Sequence, residues 1–289
     1  MTELSEKVSR SIAVLKNFEP ESEPYYVCYS GGKDSDAIRI LCSLADVRHE
    51  LWHNHTTVDA SETVYYVRSI PGIHIDYPER SMWQLIVDKK MPPTRLMRYC
   101  CEELKERGGQ ERIKVTGVRK AESRSRADNS GLVKIIGKPK TTQALAEEFG
   151  ADFSGTSKGG IVLNMDNSET RRVVEHCYRT TSTMVNPIID WTDEDVWDFL
   201  KYYGCESNPL YQCGWKRIGC IGCPMASKHR YKEFARYPKY RENYVKAFDR
   251  MLKARISAGL PTYSWDTGEN VMRWWLGEDP AQLSFWDLE

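Results

Sequence analysis

The stretch YYVCYSGGKDSDAIRILCSLA, residues 25–45, decides the fold of this chain. Its first five residues, YYVCY, are apolar and β-prone, whereas residues 36–45 carry the amphipathic pattern of a helix. Between them lies the glycine-rich turn SGGKDS, residues 30–35. A strand, a tight turn and a helix in immediate succession form the first half of a βα unit.

This turn contains the chemical groups that a phosphate site uses. Two glycines let backbone N–H groups approach phosphate oxygens, and the following helix supplies the positive end of its dipole. Lys33 can neutralise phosphate charge and Asp34 can hold Mg²⁺, directly or through water. The spacing is not that of a Walker A motif, and an ordinary glycine-rich βα loop is the alternative. The predicted phosphate-binding residues are Ser30, Gly31, Gly32, Lys33, Asp34 and Ser35.

Strand and helix patterns alternate through the first half of the chain and predict an α/β fold. The expected sheet is parallel, has about five strands and is covered by helices on both faces, with ligands at the carboxyl ends of its strands. Thr192 is the predicted N-cap of a helix. Predicted strands are residues 25–29, 49–55, 72–77, 112–118 and 186–190, and predicted helices are 36–45, 61–69, 81–90, 94–107 and 192–203.

The rest of the chain suggests two regions. Residues 125–172 are less regular, and their segments GLVKIIGKPK and GGIVLNMD predict a strand pair or an extended excursion. From residue 228 onward the pattern is helical. We therefore expect a nucleotide-binding α/β domain over residues 1–205, with an irregular insertion at about 127–172. A mainly helical C-terminal extension would cover residues 206–289.

Composition excludes several classes of protein. Of the 289 residues 40% are hydrophobic, which is enough for a core and argues against a wholly disordered chain. Lys plus Arg and Asp plus Glu both number 41, so global charge does not indicate nucleic acid or membrane. The sequence has no apolar run of membrane-spanning length and no signal-peptide core, so a cytoplasmic protein without a membrane partner is expected.

Local charge is less even than the total. Residues 80–126 contain thirteen Lys and Arg against six Asp and Glu, and residues 216–255 contain twelve against three. Solvated helix faces would explain both surpluses. Alternatively, they form two basic walls around a polyanionic ligand such as a nucleotide or RNA.

The nine cysteines are more typical of metal binding or catalysis than of disulfides in a cytoplasmic chain. Cys220 and Cys223 form a CxxC flanked by glycines and Pro224, which indicates a metal knuckle or a redox pair. Four thiolates suit either zinc or an iron–sulfur cluster. Candidates to complete the set are the adjacent pair Cys100 and Cys101, the nearby Cys205 and Cys213, and Cys177.

A further candidate anion site is TGVRKAESRSR, residues 116–126, which follows a predicted strand. Guanidinium groups bind phosphate or sulfate through two parallel hydrogen bonds, so Arg119, Arg124 and Arg126 are candidates. Glu122 could orient one arginine and Ser123 could donate a hydroxyl. A solvated basic loop is the alternative.

These motifs together resemble a known family. SGGKDS looks like the PP-loop of the adenine nucleotide α-hydrolase superfamily. RYCCEELK and TGVRKAESRSR resemble the paired-Cys and GxRxxESxxR motifs of phosphoadenosine and adenosine phosphosulfate reductases. HNHTTVDASETVYYV, NPIIDWTDEDVWDFL and NPLYQCGWKRIGCIGCP are similar to further segments of that family, so the resemblance covers about residues 25–226.

The resemblance implies a set of site residues and cofactors. It implies ATP with Mg²⁺ on the loop, Lys33, Asp34, Arg119 and Arg124 as catalytic residues, and a 4Fe–4S cluster, with Zn²⁺ as the alternative metal. A second set of four, resembling DNA-phosphorothioation sulfurtransferases, would combine the CxxC with Cys205 and Cys213. The implied nucleotide-binding residues beyond the loop are Thr56, Thr57, Gly117, Arg119, Glu122 and Ser123, and the implied cluster ligands are Cys100, Cys101, Cys220 and Cys223.

Two features of the sequence then favour one activity within the family. The reductases typically carry a degenerate loop and a catalytic Cys near the C-terminus, whereas this loop is intact and no Cys follows Cys223. We therefore expect ATP-dependent adenylation, with AMP and pyrophosphate as products, coupled to sulfur transfer. Alternatives are a sulfonucleotide reductase that releases sulfite, and a nucleotide-binding protein whose cluster senses redox state.

Partners remain open at this stage. Besides the adenine nucleotide, they include a sulfur- or electron-donor protein and a nucleic-acid acceptor. The sequence does not fix the oligomeric state, for which a homodimer is one option.

Overall fold

The computed structural model of the protein describes residues 3–156 and 159–278. Its described residues divide into two compact units. The sheet unit contains residues 3–53, 62–76 and 108–218, and the helical unit contains residues 54–61, 77–107 and 219–278. The predicted domain boundary at residue 205 stays a prediction, because these units are delimited by contacts and are discontinuous in sequence.

The secondary structure is that of an α/β protein. Its strands are β1 (Tyr25–Cys28), β2 (His49–Asn54), β3 (Ile73–Asp76), β4 (Lys114–Val115), β5 (Val133–Ile136), β6 (Phe153–Gly155), β7 (Ile161–Leu163) and β8 (Ser182–Val185). Its α-helices are α1 (Glu3–Asn17), α2 (Lys33–Ala45), α3 (Ser61–Arg68), α4 (Met82–Lys89), α5 (Tyr99–Leu104), α6 (Arg124–Asn129), α7 (Pro139–Glu148), α8 (Ser168–Cys177), α9 (Asp193–Tyr202), α10 (His229–Arg236), α11 (Pro238–Ser257) and α12 (Gly268–Leu276).

The strands form one sheet, which has eight strands among the described residues, in the order β3-β2-β1-β4-β8-β5-β7-β6. β1 pairs in parallel with β2 and β4, and β4 pairs in parallel with β8. Beyond β8 the pairing becomes antiparallel through β5, β7 and β6. The α/β class and the parallel centre are thus confirmed, and three antiparallel strands extend the expected sheet.

The order of the strands explains where a ligand can bind. The chain leaves β1 for β2 on one side and later returns to β4 on the other side of β1. Ligands of open α/β sheets bind at such a switch point, beyond the carboxyl ends of the strands. Here the loop after β1 is residues 29–32 and the loop after β4 begins at Thr116, so both candidate anion motifs occupy this edge.

The core of the sheet unit fixes the helix after the first loop. Val27 on β1 and Ile38 and Leu41 on α2 are almost fully buried within one apolar cluster. Burying a side chain of this size contributes about 1.5–3 kcal/mol, so the first βα unit is held firmly. α2 therefore presents its N-terminus at a fixed place above the sheet edge.

The helical unit has its own aromatic core. Tyr244 on α11 and Trp275 on α12 have ring centroids 4.8 Å apart, and Trp83 on α4 meets Tyr244 edge-on at the same distance. The Trp275 indole donates a hydrogen bond of 2.5 Å to the Pro93 carbonyl. Because the indole is both packed and hydrogen-bonded, it holds the segment before Cys100 against the helices.

One predicted helix is shorter than expected, and one predicted strand is wrong. The helix expected over residues 94–107 is only Tyr99–Leu104, because residues 94–97 close a turn in which the Met97 N–H donates to the Thr94 hydroxyl. The strand expected at residues 186–190 is a turn after β8 (Ser182–Val185), closed by the Ile189 N–H donating to the Asn186 carbonyl.

The expected insertion at residues 127–172 is more regular than predicted. Its two apolar segments form the antiparallel neighbours β5 and β7, as the strand-pair interpretation expects. The Thr192 cap is confirmed, since its hydroxyl accepts from the Asp195 N–H in a capping box. Within residues 3–156 and 159–278 no helix combines the length and the apolarity that crossing a bilayer requires.

Candidate functional site

The loop after β1 is shaped by its two glycines. Gly31 has φ +73°, and a Cβ there would lie 2.8 Å from a methyl group of Val67. Gly32 is the N-cap of α2, and the Ser35 hydroxyl donates to its carbonyl at 2.7 Å while accepting from its N–H at 3.1 Å. The loop is therefore pinned to the first turn of α2, where helix dipoles favour anions.

The first helical residue, Lys33, is buried and tied into an ion network. Its ammonium lies 3.0 Å from the Asp34 carboxylate and 3.2 Å from that of Asp193. Its backbone N–H donates a 2.9 Å hydrogen bond to the Tyr211 hydroxyl. The phenol oxygen thus lies at the N-terminus of α2, where anions are favoured.

Arg119 completes this network from the loop after β4. Its guanidinium is 1% exposed and donates to Asp34 at 2.7 Å, to Asp193 at 2.5 Å and to the Trp191 carbonyl at 3.2 Å. Burial opposes its charge, but the carboxylate of Asp34 and the hydrogen bond to Asp193 outweigh burial and raise the pKa of Arg119. Arg119 and Lys33 therefore share two carboxylates, and Arg119 orients both acids.

Gly117 packs the loop after β4 directly against Asp34, in the glycine-rich motif of residues 30–35. A Cβ at this position would lie 2.9 Å from the Asp34 Cβ and 3.0 Å from its backbone. Farther along, the Ser123 hydroxyl caps α6 and Glu122 pairs with Arg126 at 3.1 Å. Arg124 is exposed at the start of α6. The structure thus brings Gly117 and Arg119 to the loop and leaves Arg124 at the surface.

Thr56 and Thr57 belong to the helical unit. The Thr56 N–H and hydroxyl both donate to the Asp59 carboxylate, at 2.7 and 2.8 Å. Thr57 has φ +64°, and its hydroxyl accepts from the Met82 N–H at 2.9 Å. Both threonines thus order the segment that follows β2.

Four cysteines lie close together in the same helical unit. The thiols of Cys100 and Cys101 hydrogen-bond to each other, and the charges of Cys220 and Cys223 act on Cys100. Cys220 and Asp59 form an isolated antiparallel β-bridge. The Cys220 thiol donates to the Thr56 hydroxyl at 3.4 Å. Gly222 has φ +76° inside the CxxC, so the backbone turns tightly between Cys220 and Cys223, and the metal knuckle stays a prediction.

Two cations lie beside these thiols. The Arg98 guanidinium is 3.3 Å from the Cys101 sulfur. The hydrogen bond from the Cys100 thiol and the charge of Arg98 hold the pKa of Cys101 well below its usual range. Cys220, Asp59 and Cys223 all lie near enough to Lys105, whose side chain is exposed, to raise the pKa of its ammonium. The surroundings therefore favour the thiolate of Cys101, whereas the hydrogen bond to Cys101 and burial raise the pKa of Cys100, and burial raises the pKa of Cys220. Thiolates are the forms that bind metals.

The remaining cysteines lie in the sheet unit. Cys42 is buried, Cys28 is half-buried, and burial raises their pKa values to about 12 and about 11. Cys177 packs in the apolar core. Cys205 is half-buried beside the Arg39 guanidinium at 3.7 Å, and Cys213 is exposed. The three alternative ligands are thus in a different unit from the cluster of four.

Sequence reasoning missed two side chains of the loop network. Neither Asp193 nor Tyr211 is among the predicted site residues. A local signal exists for Asp193 alone, because it directly follows the predicted cap Thr192 in the first turn of α9. Tyr211 is 178 residues from Lys33, and no local pattern reports that contact.

The fold and this loop define a nucleotide-binding α/β protein of the PP-loop type. Residues 24–226 match the family model of the phosphoadenosine phosphosulfate reductase domain, and the chain belongs to that family. Membership places it in a family of enzymes.

Individual relatives are more distant. An uncharacterized 37.8 kDa protein of Escherichia phage 186 is 38% identical over 30% of this chain and 24% of its own. An uncharacterized protein of Methanocaldococcus jannaschii is 23% identical over 92% of this chain and 56% of its own. A phosphoadenosine 5'-phosphosulfate reductase of Xylella fastidiosa is 31% identical over 27% and 31%. The matches thus span about a quarter to just over half of these relatives.

A solved structure is also similar. The crystal structure of phosphoadenylyl-sulfate reductase from Candida auris, a phosphate complex, aligns with a TM-score of 0.42 and 15% identity. The alignment covers 76% of this chain and 96% of that one.

Proposed function

We propose that the protein binds Mg²⁺-ATP on the loop of residues 30–35, cleaves it between the α and β phosphates and adenylates an acceptor oxygen. The observation that carries this proposal is the intact loop itself. It combines Gly31 at positive φ, Gly32 as N-cap and Lys33 at the start of α2. A triphosphate needs this combination of a glycine-lined turn, a helix dipole and an ammonium group.

Each charged residue of the network has a role in this reaction. Lys33 contacts the phosphates and stabilises charge that develops on pyrophosphate as it leaves. Asp34 offers carboxylate oxygens to Mg²⁺. Arg119 acts as a positioning residue, because its guanidinium is engaged by Asp34, Asp193 and Trp191. Ser30 and Ser35 add hydroxyls on the loop, and Arg124, exposed on α6, is available to anionic groups of a bound substrate.

The proposed reaction balances in atoms and electrons without an oxidant. A lone pair of the acceptor oxygen attacks the α-phosphorus, the bond to the β-phosphate oxygen breaks, and pyrophosphate leaves with Mg²⁺. A donor at the oxidation level of sulfide then attacks the activated carbon, the carbon–oxygen bond breaks, and AMP leaves. The products are AMP, pyrophosphate and a thiolated acceptor.

We further propose Cys100, Cys101, Cys220 and Cys223 as ligands of a 4Fe–4S cluster. Their number, their clustering and the Arg98 guanidinium beside Cys101 fit a set of four sulfur ligands. Zinc is the alternative, but tetrahedral Zn–S bonds of about 2.3 Å bring sulfurs to within roughly 4 Å of each other. Among the described residues no three cysteine sulfurs lie within 4.8 Å of one another. When bound, such a cluster would supply redox or sulfide-binding chemistry.

A sulfonucleotide reductase is the second candidate. It is supported by the relatives named phosphoadenosine and adenosine 5'-phosphosulfate reductases, and by the pairing of adjacent cysteines with a CxxC. In that case the loop would bind a sulfonucleotide, and sulfite would be released.

Product analysis separates the two candidates. Anaerobically purified protein is incubated with MgCl₂, sodium sulfide, a pool of short RNA and DNA oligonucleotides, and α-labelled ATP. We expect AMP and pyrophosphate in equal amounts, and neither with Lys33→Ala. Formation of ADP and phosphate, or no turnover at all, would contradict the proposal. Sulfite release from phosphoadenosine phosphosulfate in a parallel assay, with no AMP from ATP, would establish the reductase instead.

A further inference from the structure

A cavity of about 760 Å³ opens beside the loop within the sheet unit. Lys33 and Asp193 form one end, Trp197, Leu200 and Lys201 of α9 form one wall, and residues 205–216 form the other. Ligand pockets range from about 300 to 1,000 Å³, so a nucleotide-sized molecule fits. Of the residues that the proposed reaction uses, only Lys33 and its partner Asp193 line this cavity, so most of its walls have no part in that reaction.

The walls are aromatic. Trp197, Tyr211 and Trp215 all line the cavity. Trp197 and Tyr211 meet edge-to-face with centroids 4.9 Å apart and a 90° interplanar angle. Trp215 is 9% exposed and Trp197 is 38% exposed, so Trp197 keeps uncovered ring surface. Ring surfaces of this kind stack with planar bases, and the stacking tolerates any base.

The rest of the lining is polar and charged. Lys201 and Lys216 are exposed, and both can meet a phosphate. Glu206 and Gln212 can hydrogen-bond the edge of a base. Lys33 and Asp193 pair with each other at 3.2 Å. The remaining charged residues of the lining are two lysines and one glutamate, so the ligand meets a net positive charge. The cavity thus combines ring stacking, base-edge partners and a net positive charge.

The position of the cavity connects it to the chemistry. Tyr211 lines the cavity and its hydroxyl accepts from the Lys33 N–H, so the cavity reaches the N-terminus of α2. An occupant would therefore extend to the place where the phosphates of the first substrate bind.

Resting on the proposed function, we propose that this cavity is the acceptor site and that it takes a nucleobase carried on a phosphate. The base stacks on Trp197, its phosphate meets Lys201 and Lys216, and a ring carbonyl oxygen faces the loop. That oxygen attacks the α-phosphorus of ATP and pyrophosphate leaves. The base can come from a mononucleotide or from a single-stranded nucleic acid.

Binding without turnover tests this proposal. Fluorescein-labelled single-stranded 12-mers of mixed sequence, as RNA and as DNA, are titrated with the full-length protein by fluorescence anisotropy. Trp197→Ala should weaken binding about 5- to 150-fold, the range expected for loss of one base stack, and Trp197→Phe should restore most of it. Lys201→Glu combined with Lys216→Glu should also weaken binding, and more strongly at low salt. Tyr202→Ala, an aromatic on the same helix that is 81% exposed, is the matched control.

Competition and a parallel titration separate the outcomes. An equimolar mixture of nucleoside monophosphates that displaces the 12-mer at similar concentration indicates a mononucleotide acceptor, and weak displacement indicates nucleic acid. Mg²⁺-ATP affinity is measured on the same variants. Unchanged ATP affinity is expected for Trp197→Ala. An equal loss of ATP affinity would assign the cavity to ATP itself and overturn the proposal, as would absence of 12-mer binding or no effect of the Trp197 and lysine variants.

Failure of the proposed function gives a different result. If Lys33→Ala leaves ATP affinity unchanged, the loop assignment is wrong, whatever the oligonucleotides do.

Discussion

Charge at the loop is balanced before any ligand arrives. Two cations, Lys33 and Arg119, are satisfied by two carboxylates, Asp34 and Asp193. Because an unpaired buried charge is strongly destabilising, this pairing allows the network to form in the folded protein without a ligand. A bound Mg²⁺-triphosphate would then exchange partners with Lys33 and Asp34 while Arg119 holds the acids in place.

Lys33→Ala should lower Mg²⁺-ATP affinity about 10- to 100-fold, because it removes a hydrogen bond between charged groups. Isothermal titration calorimetry measures the affinity. Lys140→Ala changes an exposed lysine of α7 and serves as the control, which should bind ATP as the unchanged protein does. Equal affinities for Lys33→Ala and the control would remove Lys33 from the site.

Asp36 gives a pH prediction. Burial raises its pKa from 3.8 to about 6, although hydrogen bonds from the Tyr29 and Tyr66 hydroxyls partly offset this. Between pH 3.8 and about 6, the folded state therefore keeps a proton on Asp36 that the unfolded state has lost. The contribution of Asp36 to the free energy of unfolding is therefore greatest below about pH 4. It falls by about 3 kcal/mol as the pH rises through about 6.

Asp36→Asn should remove this dependence. The free energy of unfolding, measured by urea denaturation between pH 4 and 7.5, should decline less steeply for the variant than for the unchanged protein. Identical slopes for the two proteins would contradict the raised pKa.

Local sequence patterns predict the loop well and its partners poorly. The residues of the βα turn are consecutive, so the strand, the glycines and the helix can be read together. Thr192 and Asp195 are equally local, and their cap is confirmed. By contrast, Arg119 meets Asp193 across 74 positions, and Tyr211 meets Lys33 across 178. Such contacts depend on strand order, which no short pattern reports.

The two differences from the predicted elements have identifiable causes. Residues 94–107 carry a helical pattern, but the Thr94 hydroxyl closes a turn and the Pro93 carbonyl is taken by Trp275. These contacts delay the helix to Tyr99. Residues 186–190 form a turn after β8, and residues 186–189 of this turn are buried. Their apolar character therefore reflects burial and not strand pairing.

Two loops from different strands act as one element here. The loop after β4 packs through Gly117 on the first residues of α2, with Cβ-to-Asp34 distances below the ordinary contact range. Close approach of this kind needs glycine, because a methyl group would force the backbones apart.

Gly117→Ala should therefore displace Asp34 and lower ATP affinity, with a loss of stability of about 1–3 kcal/mol. Gly155→Ala is the matched control, since a Cβ there would meet only the end of the Gln143 side chain at 3.8 Å. Calorimetry and thermal unfolding of both variants measure the two effects. If both variants bind ATP equally well, the packing of Gly117 does not matter for the site.

The two compact units divide the chemistry between them. All residues of the loop network belong to the sheet unit, and the four clustered cysteines belong to the helical unit. Cys213 and Cys205 lie in the sheet unit, although they precede the CxxC closely in sequence. This division favours Cys100 and Cys101 over those two as ligands beside the CxxC.

Cys220→Ser should therefore abolish metal binding, whereas Cys213→Ser should leave it intact. Iron, acid-labile sulfide and zinc are quantified on anaerobically purified proteins, together with visible spectra. About four irons and four sulfides per chain are expected in the unchanged protein and in Cys213→Ser. One zinc without iron would make the cysteine site structural, and loss of metal in Cys213→Ser would restore the local set of cysteines.

The most direct test of the account is which nucleotide the loop binds. Anaerobically purified protein is titrated calorimetrically with Mg²⁺-ATP, adenosine phosphosulfate and phosphoadenosine phosphosulfate. The account predicts that Mg²⁺-ATP binds most tightly and that Lys33→Ala weakens this binding about 10- to 100-fold. Tighter binding of either sulfonucleotide, with no measurable affinity for ATP, would contradict adenylation and make the protein a sulfonucleotide reductase.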